Sequence, residues 1–155
     1  MAADTFQRYL SHGGKPLGSG RIRFALFVLD LSAAVSAVIG GIAVAVNVDS
    51  FPREWLAGSP FSDYVLPGAI LAVVVGGTAA FAAATAARGP RVGAPASVVA
   101  GLVLVGWISG ELLVLNQNSA STSPRSVVEP IYFVVGLAMV ALGLILWRRG
   151  RRPSA

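Results

Sequence analysis

Four long apolar stretches, at about 22–46, 64–87, 97–115 and 130–147, are separated by short polar breaks. About 18 or more apolar residues are enough for an α-helix to cross a hydrocarbon layer of about 30 Å. The pattern therefore predicts an all-α fold, a four-transmembrane-helix bundle with short loops. One longer loop, 47–63, follows the first span. The first apolar stretch runs to about 24 residues, against 7–15 for the apolar region of a signal peptide, so it is expected to stay as an anchor.

Small residues recur inside the spans at helical spacing. Ala33, Ala37 and Gly41 fall four apart in the first, and Ala72, Gly76, Ala80 and Ala84 in the second. Gly106 and Gly110 follow in the third, and Gly136 and Gly143 lie seven apart in the fourth. Such residues let helix backbones approach closely in a membrane. The expectation is one compact membrane domain over 22–147. Residues 1–21, with Gly13, Gly14, Gly18 and Gly20, read as a flexible tail, and 148–155 as a short basic one.

The breaks carry recognisable turn and cap residues. Asp63 stands at an N-cap position for the second span, and Pro67 in its first turn, where a missing N–H costs little. The segment 88–95, with Gly89, Pro90, Gly93 and Pro95, reads as a tight turn. Glu129 and Pro130 are expected to start the fourth span. In the longer loop, Pro52 to Ala57 reads as one or two interfacial helical turns carrying Trp55.

Charge assigns the sides. Of the 12 basic residues, ten lie before the first span, between spans two and three, or after span four. Arg53 and Arg125 alone belong to the other two loops, beside Asp49, Glu54, Asp63 and Glu129. Short loops rich in Lys and Arg stay cytoplasmic, so both termini are expected inside the cell membrane. The net charge of +5 is thereby explained by topology, and no nucleic-acid partner is expected. Arg148, Arg149, Arg151 and Arg152 close the last span with Trp147, as a topology anchor or an attraction for anionic lipid.

Composition removes several function classes. The chain is 55% hydrophobic and 12% charged, with mean hydropathy +0.72. A soluble domain carries about twice that charged share. There is no cysteine, which excludes disulfides, thiolate metal sites and thiol redox chemistry. The single histidine, His12, sits in the Gly-rich tail, so no Ser-His-acid arrangement is available. No acidic or histidine cluster has metal-ligand spacing, and Gly18-Ser19-Gly20-Arg21 lacks the length and lysine of a P-loop. No catalytic, cofactor-binding or metal-binding residue is assigned. Only Lys15 among the basic residues is a lysine, a bias typical of GC-rich bacterial genomes.

Two acids remain inside the spans, Asp30 and Glu111. A charge at a bilayer centre costs about 2.5–3.5 kcal/mol on insertion scales, so an intramembrane acid needs a reason. Asp30 is placed in the inner half and Glu111 in the outer half, about 10 Å apart along the bundle, too far for a carboxylate pair. Tyr132 is expected at the depth of Glu111. One reading is a proton or cation relay from Asp30 to Glu111, with Ser32, Ser36, Thr78 and Tyr132 as polar steps. The other is two structurally partnered acids, Asp30 bonded to a hydroxyl on a neighbouring helix.

The run Ser59-Pro60-Phe61-Ser62-Asp63-Tyr64-Val65-Leu66-Pro67-Gly68 resembles a pattern of small four-span bacterial, actinobacterial-type, integral membrane proteins of unassigned function. So do Gly106-Trp107-Ile108 and Pro130-Ile131-Tyr132-Phe133-Val134-Val135-Gly136. The resemblance spans residues 24–147 and implies the four-span fold without a catalytic residue. Glu111 departs from it, standing where a less acidic residue is expected.

Three function classes follow. A non-enzymatic accessory or structural membrane protein needs only the bundle, the lipid bilayer and a membrane-protein or homo-oligomeric partner. A proton- or cation-coupled transporter or channel subunit would use Asp30 and Glu111, and resembles small multidrug exporters in size and in its first-span acid. A lipid-modifying enzyme would need a polar cluster at the interface, which the sequence does not offer.

Overall fold

The computed structural model describes residues 18–46, 56, 60–115 and 125–151. His12 and the tail residues 1–17, Arg53, Trp55 and most of the longer loop, 116–124 and Arg152 lie outside the described residues.

Four helices run antiparallel in sequence order. Helix α1 is Ser19–Val46, α2 is Val65–Arg88, α3 is Pro90–Leu115 and α4 is Arg125–Gly150. All four contain stretches long and apolar enough to cross a membrane. At a rise of 1.5 Å per residue, a helix of 26 residues is about 39 Å long, beyond the hydrocarbon thickness. The most extensive contact joins α3 to α4, followed by α1 with α2 and α2 with α3. Contact between α1 and α4 closes the ring more sparsely. Ser19 and Gly150 share one end of the bundle, where Ile22, Leu26, Ala94 and Leu146 form an apolar cluster.

The outer surface is apolar along its length. Phe24, Val73 and Leu113 are 69%, 72% and 70% exposed. Water does not tolerate a continuous surface of that kind on a monomer, whereas acyl chains match it. Charge gathers at the ends instead. At the end shared by the termini, Arg21, Arg23, Arg88, Arg91, Arg148, Arg149 and Arg151 are all exposed. Arg151 lies over the Trp147 ring, its guanidinium carbon 4.1 Å from the centroid, a cation–π contact that holds it at the helix end.

Two turns differ from expectation. Residues 88–95 are not a loop: only Gly89 separates α2 from α3, and Pro90 opens α3. Proline suits the first helical position because its absent N–H has no intrahelical acceptor there. The reversal is tight enough that a Cβ on Gly93 would lie 2.5 Å from Ala86 Cα, so glycine permits the crossing. Likewise α4 begins at Arg125 rather than at Glu129-Pro130. Pro95 and Pro130 both fall at the sixth helical residue, just past the first turn, where each removes one i→i−4 bond from the ladder. At the start of α2, Asp63 Oδ1 accepts from Val65 N–H at 3.0 Å, one residue outside the cap position at Tyr64.

Small residues set the helix spacing. A Cβ on Gly41 would meet Gly68 O at 2.5 Å, and one on Gly101 would meet Gly136 O at 2.6 Å. Ala33, Ala37 and Gly41 are all buried, as a packing stripe requires. The stripe expected on α2 is only half buried: Gly76 packs on Ala34 and Val38, while Ala80 and Ala84 are exposed. Four residues turn an α-helix through 400°, so a strict four-residue row drifts about 40° per step off the contact face. The row that stays inside is Gly68, Val75, Ala79, Ala82 and Ala86, at alternating spacings that track the helix. One π-helical turn, Leu71–Val75, lies within it.

Candidate functional site

Asp30 is fully buried at 0% exposure, and so is Ser97 on α3. Ser97 Oγ donates to Asp30 Oδ2 at 2.6 Å. Helical spacing brings the pair inside. On α1 the buried row runs Ile22, Leu26, Asp30, Ala33 and Ala37. On α3 it runs Ala94, Ser97, Ala100 or Gly101, Leu104 and Ile108. The third residue of the first row, Asp30, meets the second of the other, Ser97. They form a thin polar layer between the apolar cluster near the termini and the larger one built on Ala33, Val75, Leu104 and Met139. Asp30 Oδ1 is buried and has no hydrogen-bond partner among the described residues. Leaving a buried polar atom unmade costs about 1–3 kcal/mol, so this oxygen is an exception within an otherwise apolar core.

At the opposite end, all four helices line a half-open cavity of about 280 Å³. Glu111 and Trp107 of α3, Glu129 and Tyr132 of α4, Ser36 of α1 and Leu71 of α2 line it. Its deeper wall is Ala33, Ala37, Leu104 and Ile108. Glu111, Glu129, Trp107, Tyr132 and Ser36 are each half-buried. From Leu104 to Glu111 the lining covers seven residues of one helix, a depth of about 10 Å. Acids stand at the mouth and aliphatic side chains at the floor.

Glu111 and Tyr132 therefore share a cavity, and Asp30 does not line it. Fourteen residues of α3 separate Ser97, which holds Asp30, from Glu111, an axial distance of about 21 Å. The sequence alone, with both acids fitted into 30 Å, places them about 10 Å apart, whereas the helices extend well past that thickness. The proposed polar steps are not assembled into a file. Ser32 is exposed and donates to Leu29 O at 2.9 Å. Ser36 reaches the cavity and donates back to Ser32 O. Thr78 donates to Val74 O at 2.7 Å and lines an apolar groove between α2 and α3, away from the cavity.

Ser97, Glu129 and Trp107 are the site residues that sequence reasoning missed. Ser97 was visible as the one hydroxyl in the inward row of α3. Glu129 was assigned to a helix start, which hid its three-residue spacing to Tyr132 on a shared face. Among the described residues, no group of three or more His, Cys, Asp or Glu is placed to hold a metal ion.

No family model, curated protein or solved structure matches this chain.

Proposed function

We propose that this chain is a multi-pass protein of a bacterial cell membrane, non-enzymatic and of accessory or structural type. One observation carries the reading. The buried Asp30–Ser97 pair is sealed between two apolar clusters, and the cavity above it excludes Asp30. Among the described residues, the polar groups inside the bundle do not join into a route across its core. Its apolar outer face is the part offered to lipid and to a partner helix or a second copy. The arginines gathered at the shared end of the helices support cytoplasmic termini.

The second reading, a proton- or cation-coupled transporter or channel subunit, is favoured by the unpartnered Oδ1 of Asp30. Intramembrane carboxyls with spare bonding capacity mark ion and proton routes in many membrane proteins. Proteoliposomes separate the two. Under an imposed proton, sodium or potassium gradient, the purified protein is expected to pass no more ions than empty liposomes. A flux that disappears in Asp30→Asn would overturn the accessory reading and establish the second.

A further inference from the structure

The groove between α2 and α3 has a volume of about 460 Å³ and opens to the outside of the bundle. Val73, Gly77 and Phe81 line it from α2, and Val92, Pro95 and Val99 from α3. Gly77 keeps it open, since a Cβ there would meet nothing within 4 Å. The hydroxyl of Thr78, also in the wall, is turned back to Val74 O at 2.7 Å. Counted from Gly89 at the reversal, the lining begins three residues along α3 at Val92 and ends sixteen residues back along α2 at Val73. That is a length of about 20 Å down the bundle. The groove thus runs from the arginine-rich end to about the middle of the spans, the depth of one leaflet of a hydrocarbon layer about 30 Å thick.

Both walls end in an exposed arginine. Arg91 stands four residues before Pro95, one turn nearer the end on the same side of α3. Arg88 stands seven residues after Phe81, two turns along the same side of α2. It turns one of its five donors to Ala84 O at 3.4 Å. Among the described residues no acid faces them: Asp30 is buried against Ser97, and Asp63, Glu111 and Glu129 belong to the opposite end.

We propose that this groove holds an acyl chain of an anionic glycerophospholipid, with the lipid phosphate between Arg88 and Arg91. The apolar wall matches the chain, and basic residues between spans at a membrane surface attract anionic headgroups. Guanidinium groups meet phosphate oxygens with paired donors. A helix of a second copy fits less well, because it would need contact through both leaflets and has no use for paired positive charge at one end. The proposal rests on the multi-pass reading alone, and resistance of the chain to carbonate extraction from cell membranes checks that reading separately.

The test is native mass spectrometry of the full chain released from dodecyl maltoside micelles, titrated with dioleoylphosphatidylglycerol or with dioleoylphosphatidylcholine. Saturable binding of phosphatidylglycerol is expected, on the order of 10-fold tighter than phosphatidylcholine. Glycerophosphate, which has the phosphate and no chain, should fail to displace it. Arg88→Gln with Arg91→Gln should remove most of the preference, and Gly77→Phe, which puts a ring into the groove, should weaken both lipids. Arg148→Gln with Arg151→Gln removes the same charge from the same end and should leave the preference in place. Equal binding of the two lipids, displacement by glycerophosphate, unchanged affinity in either groove variant, or an equal loss in the control pair overturns the proposal. So does a dimer that Gly77→Phe disperses and phosphatidylglycerol leaves intact, which would give the groove to a second copy. If the variants fail to fold, the comparison of the two lipids and glycerophosphate on the unaltered chain decides alone.

Discussion

Gly40 and Gly41 are neighbours in sequence with opposite surroundings, and replacing each by alanine tests how the bundle is held together. A Cβ on Gly41 would lie 2.5 Å from Gly68 O, 2.6 Å from Ala72 N and 2.8 Å from Ala72 Cβ. The first distance is about 0.9 Å short of the 3.4 Å at which ordinary contact begins. Two of the three atoms are backbone, so no side-chain rotation relieves the clash. Helices α1 and α2 must part locally, and the contacts on either side of the crossing loosen with them. Overpacking of this kind costs about 1–3 kcal/mol. In a bilayer the loss is felt directly, because lipid tails are as apolar as the helix faces and only close packing favours association. A Cβ on Gly40 meets nothing nearer than Leu71 Cδ2 at 3.9 Å, so Gly40→Ala should change stability by no more than about 0.5 kcal/mol. A gap of about 2 kcal/mol between the two variants is about 30-fold in the unfolding equilibrium. Reversible unfolding in mixed micelles, titrated with sodium dodecyl sulfate, measures it. Equal midpoints, or a more damaging Gly40→Ala, would refute the close-approach argument.

Two further outcomes are expected. Ser97→Ala strips Asp30 of its only described partner and should destabilise the bundle by about 1–3 kcal/mol, while Asp30→Leu combined with Ser97→Ala should cost less than the sum of the single changes; additive values in the same titration would mean that the hydrogen bond is not a coupled pair. Because the chain has no cysteine, single cysteines report sidedness cleanly: Ser62→Cys should react with a membrane-impermeant maleimide on intact cells and Gly150→Cys only after lysis, and the reverse pattern would invert the proposed orientation.

The outcome at α3 shows where sequence reasoning stopped. Gly, Pro and Arg crowd residues 88–95, and breakers of that density suggest a loop. Pro90, however, is tolerated at a helix start, and Gly93 is needed for a crossing against Ala86, a tertiary demand that local propensity does not contain. The same holds on α2. A four-residue run of small residues is visible in the sequence, but only the neighbouring helix decides how much of it stays in contact as the row drifts around the axis.

Hydrophobic length, a property of the unfolded chain in contact with lipid and water, determined that there are four apolar helices and which stretch of the chain forms the middle of each. That term acts residue by residue, so the sequence alone carries it. Tertiary structure decided the rest. It placed Asp30 against Ser97, 67 residues away, and collected Ser36, Trp107, Glu111, Glu129 and Tyr132 around one cavity while leaving Thr78 and Ser32 outside it. Rotation of each helix about its axis and its axial offset from its neighbours arise from packing small residues against backbone. A shift of one residue turns a helix by about 100°, enough to exchange a buried partner for a lipid-facing one.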